Sequence, residues 1–260
     1  MTLLEARGLT AAYGPTLALR GLAASIAHGQ IVAVLGENGS GKSTLLKIIA
    51  RIVPATGGEI LLEGRPLALM PRRDTARRIA YVPQSLDLVF PIRSLDLVLQ
   101  GRAPHARGFS ADSALDRELA IEAMRACDVG ALAERDASAL SGGEQRRVFL
   151  ARALAQEAGI WLLDEPVSGL DPRHRLEFLE ILMKTHRERG TTVLLVTHEI
   201  DLAGELADRV LLLREGRTLA QGTPDEVLTQ ENLRRAFSVE SRVEVDAAGR
   251  RRLVPVAPSR

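Results

Sequence analysis

The sequence is poor in cysteine and has no long apolar run. Cys127 is the single cysteine, so no disulfide can form within the chain, and this usage fits a reducing compartment. We expect Cys127 to act as a small apolar side chain on a helix. No segment reaches the roughly eighteen apolar residues that a membrane-spanning helix needs. The opening residues, MTLLEARGLTAAYG, lack a basic stretch followed by a long apolar one, so we expect no signal peptide.

An excess of charge of one sign is absent as well. The formal net charge is +1, whereas a dedicated nucleic-acid binder normally carries a basic face or tail, so we expect no nucleic-acid partner. Lysine occurs only at positions 42, 47 and 184, which makes a lysine inside a motif informative. The 260 residues, of which 46% are hydrophobic, suffice for one domain or for one domain with an inserted lobe.

The apolar pattern of the first half predicts alternating strands and helices. Residues 3–9 and 17–30 alternate in polarity, which predicts short antiparallel strands with a hairpin turn near His28–Gly29. A helical pattern covers residues 45–53 and is expected to end at Pro54 and the glycine pair that follows it. A continuous apolar run, typical of a buried parallel strand, occupies residues 31–36, and two further strands are predicted at 159–166 and 191–199.

The second half begins with a change of pattern. Residues from Ser85 to about Leu140 have a helical pattern and form the candidate inserted lobe, which an amphipathic helix is predicted to follow. Nearer the C-terminus the sequence predicts a hairpin turning at Glu215–Gly216 and a helix over 224–237. A last weak hairpin is predicted around Ala247 to Gly249.

A glycine-rich segment after a predicted strand matches the pattern G-x-x-x-x-G-K-[ST]. Its glycines permit backbone conformations that turn N–H groups towards an anion, and the following helix start adds a positive dipole end. Lys42 is expected to contact the β- and γ-phosphates of a nucleotide, and the Ser43 hydroxyl to ligate Mg²⁺. A glycine-rich turn without a ligand is the alternative. The candidate nucleotide-binding residues are Gly36, Glu37, Asn38, Gly39, Ser40, Gly41, Lys42, Ser43 and Thr44.

Two adjacent acids end a buried apolar strand. A carboxylate at the position of Asp164 is unfavourable without a cation or a hydrogen-bond partner, and Mg²⁺ would supply the cation. Glu165 follows directly and would point towards the place where a water attacking the γ-phosphate stands. The alternative is that the two acids cap the start of a helix. Beside the phosphate loop, the pair predicts a metal ligand and a catalytic base.

The segment LSGGEQRR at 140–147 resembles the signature of the ABC transporter ATPase family. Glycines and a hydroxyl at a helix start place donors around an anion. In that family the signature of one subunit closes over the nucleotide held by the other. The resemblance therefore implies that Ser141, Gly142, Gly143 and Glu144 contact ATP in a dimer of two copies.

The other elements of the family occur in the expected order, and the resemblance covers roughly residues 3 to 238. Gln84 resembles the Q-loop residue that senses Mg²⁺ and water, and Asp171 resembles the D-loop aspartate that reaches across the dimer. His198 resembles the switch histidine at the γ-phosphate, and Tyr13 resembles the aromatic that stacks on adenine. Taken alone, Gln84 would be a helix cap, His198 a surface residue and Tyr13 a packing residue. Two departures, Val167 for threonine and Arg51 for glycine, remove no catalytic group.

The resemblance implies an α/β fold with a P-loop NTPase core, whose mostly parallel sheet is flanked by helices. To this core it adds an N-terminal antiparallel β subdomain and an inserted helical subdomain. The ABC ATPase domain would cover 1–238, with its core at 1–84 and 153–238 and the helical subdomain, carrying the signature, at 85–152. Residues 239–260 would be a short tail.

By the same resemblance, two copies bind ATP and Mg²⁺ and drive a separate membrane permease served by a substrate-binding protein. The chain would lie at the cytoplasmic face of the inner membrane, attached through the permease. The residues GRAPH at 101–105 resemble an element of importers of iron chelates, haem and vitamin B12, and a loop with glycine and proline as breakers is the alternative. Against this reading, SGLDPRHR lacks the usual LD-I-x-HQ. Other metal-ion or molybdate importers, an exporter, and a non-transport ABC ATPase remain open.

Overall fold

A computed structural model describes residues 1–84, 88, 90–106, 113–245 and 251–258. In this part of the chain no helix is both long and apolar enough to cross a membrane. The strands are β1 (Thr2–Tyr13), β2 (Thr16–Ala27), β3 (Ile31–Leu35), β4 (Gly57–Leu62), β5 (Arg65–Pro66), β6 (Ile79–Val82), β7 (Ile160–Asp164), β8 (Thr192–Val196), β9 (Arg209–Arg214), β10 (Arg217–Gly222), β11 (Val239–Val245) and β12 (Arg251–Pro258). The α-helices are α1 (Lys42–Ile49), α2 (Arg72–Arg78), α3 (Ser94–Leu99), α4 (Ala114–Ala126), α5 (Gly142–Ala155), α6 (Pro172–Arg189), α7 (Ile200–Leu206), α8 (Pro224–Val227) and α9 (Gln230–Phe237).

The chain divides into two compact units. The first unit combines Met1–Met70 with Thr192–Arg260, and the second is Pro71–Thr191. The phosphate loop therefore belongs to the first unit, and the two acids at the end of β7 belong to the second, together with the signature. The predicted limits of the helical subdomain, 85–152, stay a prediction.

The first unit contains an antiparallel sheet with the strand order β2-β1-β4-β5. Tyr13 pairs with Thr16, so the hairpin turns at Gly14 and Pro15 and not near His28–Gly29, where the sequence predicted it. The prediction was wrong because the turn at His28–Gly29 leads into β3, which pairs in parallel with β8 and β9. Gly14 has a φ of +58°, a conformation that glycine adopts without a steric cost.

The buried strand β3 is the central strand of the other sheet of the first unit. All five of its residues are buried, and it lies between the parallel strands β8 and β9. β9 continues into β10 through a hairpin at Glu215 and Gly216, as predicted, and both turn residues have positive φ angles of 50° and 75°. Helices α7, α8 and α9 supply apolar residues to one core with β3 and β9, namely Ala203, Val227 and Ala236. The predicted mostly parallel sheet with flanking helices is confirmed.

Two helices of the first unit differ from their predicted lengths. α1 ends at Ile49, before the predicted end at Pro54, because Arg51 adopts a left-handed φ of 57°. The Arg51 guanidinium holds this bend by donating to Ala68 O at 3.2 Å. The predicted helix over 224–237 is two helices, since Thr229 accepts a hydrogen bond from Asn232 N and caps a new helix.

The second unit pairs β6 with β7 in parallel and packs helices α3, α4 and α5 on one another. Its core includes Val98, Met124, Val148 and Leu150. Cys127 is fully buried at the end of α4, as the composition suggested. In the first unit, β11 and β12 pair as the predicted last hairpin, while its predicted turn, 247–249, lies outside the described residues.

Candidate nucleotide site

The phosphate loop connects β3 to α1 in the first unit. Lys42 is the first residue of α1 and is only 5% exposed, with its ammonium donating to Gly36 O at 2.7 Å and to Glu37 O at 2.9 Å. Gly41 precedes the helix in a left-handed conformation and no side chain caps the helix start. A buried ammonium and a helix N-terminus therefore occupy one loop, and both favour an anion.

Two glycines of this loop have no room for a side chain. A Cβ at Gly36, whose φ is +148°, would lie 2.4 Å from Leu213 O, and one at Gly41 would lie 2.7 Å from Ala18 O. Ser40 is 3% exposed, and its hydroxyl has no hydrogen-bond partner among the described residues. A phosphate oxygen would give that hydroxyl an acceptor. Glu37 and Asn38 are exposed, and Ser43 and Thr44 are half-buried. The loop fits a nucleotide phosphate.

The two acids at the end of β7 lie in the second unit and have different environments. Asp164 is 2% exposed, and Tyr81 on β6 donates from its hydroxyl to Asp164 Oδ2 at 3.2 Å. Glu165 is half-buried with a φ of 48°, and Gln84 Nε2 donates to its Oε2 at 2.9 Å. The helix that follows starts at Pro172 and is capped by Asp171, so the alternative that the two acids cap it is wrong. The buried Asp164 carboxylate suits Mg²⁺, whose preferred ligands are oxygens.

Sequence reasoning missed Tyr81. It stands three residues before Gln84 in YVPQ, and β6 brings it beside Asp164 because β6 pairs with β7, with Tyr81 opposite Leu162. The signal that would have found it is a tyrosine on a strand predicted to run parallel to the one bearing the acid. Val167, which replaces threonine, is 3% exposed and contributes an apolar side chain to the core.

The signature starts α5. Ser141 is the N-cap, its side chain accepting a hydrogen bond from Glu144 N, while Glu144 Oε2 accepts from Ser141 N at 2.9 Å and from Ser141 Oγ at 2.7 Å. The bonds that the Glu144 carboxylate accepts, first from the Ser141 hydroxyl and then from the Ser141 backbone N–H, lower the pKa of Glu144. Ser141 and Gly142 are exposed, and Gly143 is buried. The helix start is thus fixed by a capping box and presents an exposed hydroxyl and glycine backbone.

Residues 168–171, the segment that resembles the D-loop, lie beside the signature within the second unit. Asp171 Oδ1 accepts from Arg173 N at 3.0 Å and from His174 N at 3.1 Å, and its Oδ2 accepts from His174 Nδ1. The bond from the His174 backbone and then that from its ring lower the pKa of Asp171. Arg146 on α5 donates to Ser168 O. A pocket of about 380 Å³ is bordered by both segments, including Ser141, Gly143, Asp171 and Gln84.

The remaining predicted residues belong to the first unit. Tyr13 ends β1 at the hairpin tip and is 49% exposed, which speaks against a purely packing role. His198 follows β8 and is exposed. The structure therefore places Tyr13, the phosphate loop and His198 in the first unit, and Gln84, Asp164, Glu165, the signature and Asp171 in the second.

The GRAPH segment forms a helical turn with internal contacts. Arg102 is 4% exposed and donates from Nε to Asp116 Oδ1 at 3.0 Å and from one terminal nitrogen to Ala155 O at 2.6 Å. His105 Nε2 lies 2.9 Å from Gln156 O. Arg102 contacts both α4 and the C-terminal end of α5, and His105 contacts the residue after α5. The side chains of the GRAPH segment therefore stabilise the packing of these helices.

Comparison with known proteins decides the family. A family model described as "ABC transporter" matches residues 19–168. The chain belongs to the ABC transporter family. It is an ATPase, with ATP and Mg²⁺ as its cofactors.

The chain is similar over nearly its whole length to characterised members. It is 42% identical to the hemin import ATP-binding protein of Streptomyces coelicolor, over 99% of this chain and 90% of that protein. Among solved structures, a metal-chelate-type ABC transporter in an inward-facing conformation superposes with a TM-score of 0.84 at 30% identity, covering 98% of each chain. A bacterial ABC transporter cassette solved as a dimer superposes with a TM-score of 0.77 at 28% identity, covering 85% of this chain and 99% of that one.

Proposed function

We propose that this ABC ATPase energises import of an iron chelate, haem or cobalamin through a separate membrane permease. Three findings support the cargo class: the hemin-import relative, the metal-chelate-type neighbour and the GRAPH residues. The chain acts as a peripheral subunit at the cytoplasmic face of the inner membrane, held there by the permease. A substrate-binding protein delivers the cargo to the permease and does not contact this subunit.

The observation that supports ATP use most strongly is the buried Lys42 ammonium at the start of α1. Burying a charge is unfavourable unless polar or charged partners surround it, and a nearby anion stabilises a buried ammonium. Phosphate oxygens compensate that charge. The loop Gly36–Thr44 binds the phosphates through its N–H groups, and Tyr13 stacks on the adenine, for which its exposed ring at the hairpin tip is suited.

The acids act on the metal and on the attacking water. Asp164, Ser43 and Gln84 are the residues that hold Mg²⁺, and the ion, when bound, neutralises charge on the phosphates. Glu165 accepts a proton from the attacking water, and His198 holds the geometry at the γ-phosphate. A positioned general base contributes about 10²–10⁴-fold in rate.

Two copies of the chain complete the site. The exposed start of α5, with Ser141, Gly142, Gly143 and Glu144, closes over the nucleotide bound by the second copy, and Asp171 reaches across the same interface. The dimeric cassette to which this chain is similar supports the arrangement. We further propose the division into a core (1–84 and 153–238), a helical subdomain (85–152) and a tail (239–260). Through Gln84 and the helical subdomain, opening and closing of the dimer drive the permease.

ATP turnover by the purified wild type and by Glu165→Gln tests the proposal, with light scattering in Mg²⁺-ATP to follow dimerisation. We expect cooperative hydrolysis by the wild type and a nearly inactive, ATP-bound dimer for the variant. Normal turnover by Glu165→Gln, or ATP binding only as a monomer, would contradict the mechanism.

The cargo needs an experiment in cells. In a strain lacking this chain, uptake of labelled hemin, a ferric siderophore and cobalamin is compared after complementation with wild type or with Lys42→Ala. We expect uptake of one of the three to depend on the wild-type chain alone. Dependence of manganese or molybdate uptake, or of export, on the chain would replace the proposed cargo class, and no effect on any transport would favour a non-transport ABC ATPase.

A further inference from the structure

His174, on the first turn of α6, contacts both the D-loop and the start of the signature helix. Its backbone N–H and its ring Nδ1 both donate to the Asp171 carboxylate, the latter to Oδ2. The ring also lies against the signature, because a Cβ at Gly143 would come within 2.8 Å of His174 Cγ and 3.1 Å of its Nδ1. One side chain therefore joins the D-loop to the helix start of the signature.

The contact with His174 restricts the Asp171 side chain. This side chain is 55% exposed, and an exposed carboxylate ordinarily samples several rotamers. Here one oxygen accepts from two backbone N–H groups and the other from the imidazole. An N-cap needs only the first oxygen. The bond to the second oxygen fixes the orientation of the carboxylate beyond what capping α6 requires.

The contact with Gly143 restricts the signature. Gly143 is buried although the two residues before it are exposed, and the imidazole ring occupies the space that a side chain would fill. A second link lies nearby, since Arg146 on α5 donates to Ser168 O in the D-loop. The two segments border one pocket of about 380 Å³, so their relative position sets the shape of the surface offered to a bound nucleotide.

We propose that His174 is a positioning residue for ATP hydrolysis, which holds the Asp171 carboxylate and the signature helix start as one rigid surface. This inference rests on the proposed function, because that surface acts on the nucleotide held by the second copy. We assign His174 no direct role at the reacting atoms. It acts by presenting Asp171 and Ser141 in a fixed relative geometry when the dimer closes. Small displacements of such groups cost rate, because reaction requires aligned groups.

Two variants separate the contacts of His174. His174→Asn retains a donor near the position of Nδ1 and removes the ring from Gly143. His174→Phe retains a ring against Gly143 and removes the donor to Asp171. We expect each to lower kcat roughly tenfold, within the range that misplaced groups cost, while the KM for ATP stays within about twofold. Leu176→Ala, which truncates a side chain of the same helix that is 67% exposed, is the control and retains wild-type kcat.

The split between kcat and KM distinguishes positioning from a structural role. If His174 only stabilised the start of α6, both variants would unfold at a lower temperature and would keep the wild-type kcat per folded molecule, which overturns the proposal. Thermal unfolding by circular dichroism supplies the folded fraction. Unchanged kcat in both variants also overturns it. Failure of the proposed function is a separate result, because the wild type itself would then show no ATP turnover.

Discussion

Gln84 Nε2 and Glu165 Oε2 are joined by a hydrogen bond of 2.9 Å within the second unit. The bond connects the loop after β6 to the carboxylate that follows β7. The backbone of Glu165 has a φ of 48°. A left-handed conformation at a non-glycine residue is uncommon and is often found at functional sites. The amide of Gln84 therefore orients the side chain that we assign as the base.

Replacing Gln84 should slow hydrolysis more than it weakens ATP binding. In Gln84→Ala the Glu165 carboxylate loses the donor that orients it but stays present, so we expect kcat to fall about tenfold, less than the roughly 10²–10⁴-fold that a general base contributes. The dissociation constant for ATP without Mg²⁺ should stay within about twofold, since the phosphate loop is untouched. Steady-state turnover and equilibrium binding measure the two quantities. Gln100→Ala, at an exposed glutamine of the same unit, is the control, and equal losses in both variants would contradict the assignment.

An alanine at Gly41 should damage the phosphate loop. Gly41 has a φ of +98°, and its added Cβ would lie 2.5 Å from Leu19 Cδ2 and 2.7 Å from Ala18 O. Gly64→Ala is the matched control, because Gly64 has a φ of +76° with nothing within 4 Å. In the control, the unfolding free energy should fall only by the cost of placing alanine in a left-handed conformation, about 1–2 kcal/mol. Urea unfolding should show a larger loss for Gly41→Ala, together with weakened ATP binding. A Gly41→Ala protein as stable as the control would mean that the loop adjusts freely.

Much of the site was predictable because its motifs are contiguous. The strand, loop and helix around Lys42, the helix start at Ser141 and the turn at Glu215–Gly216 each depend on neighbours in sequence, so local conformational rules locate them. The bond between Tyr81 and Asp164 joins residues on two strands that pair only in the folded chain. No local pattern encodes that pairing.

The incorrect predictions also arise where a local pattern does not determine the folded structure. The hairpin was expected near His28–Gly29 because a glycine follows an alternating segment, but Gly14 satisfies the turn requirement earlier and lets both strands run for twelve residues. The helix over 224–237 was expected to be continuous from its periodicity, yet Thr229 competes for a backbone N–H and starts α9. The internal contacts of Arg102 depend on the packing of α4 against α5, which no local sequence pattern predicts.

Cys127 should be unreactive in the folded protein. Burial raises the pKa of its thiol to about 12, with nearby Arg147 opposing this to a lesser extent. The thiolate is the reactive form, so at pH 8 the native chain should not react with a chromogenic disulfide reagent within minutes. In denaturant the thiol recovers an ordinary pKa of about 8.5 and should react fully. Rapid labelling of the native chain would show that α4 opens or that the thiol is accessible.

Arg102 should contribute stability that depends on pH through Asp116. Both side chains are nearly buried, and removing one partner of a buried pair costs about 3–5 kcal/mol. Arg102→Ala should therefore unfold at a lower urea concentration at pH 7, whereas Arg117→Ala, at an exposed arginine of α4, should not.

The pH dependence of this difference tests whether the carboxylate partners of Arg102, which are Asp116 at 3.0 Å and Glu157 at 2.6 Å, are its cause. Hydrogen bonds from the Ser113 hydroxyl and then from Arg102 lower the pKa of Asp116 in the folded state. A carboxylate with a lowered folded pKa contributes stability that is complete above its unfolded pKa, about 3.9, and that is lost as the pH falls towards the folded value. The difference in unfolding free energy between wild type and Arg102→Ala should accordingly narrow below about pH 4. A difference that stays constant from pH 7 to pH 3 would attribute the loss to packing and to the bond with Ala155 O, and would remove Asp116 from the explanation.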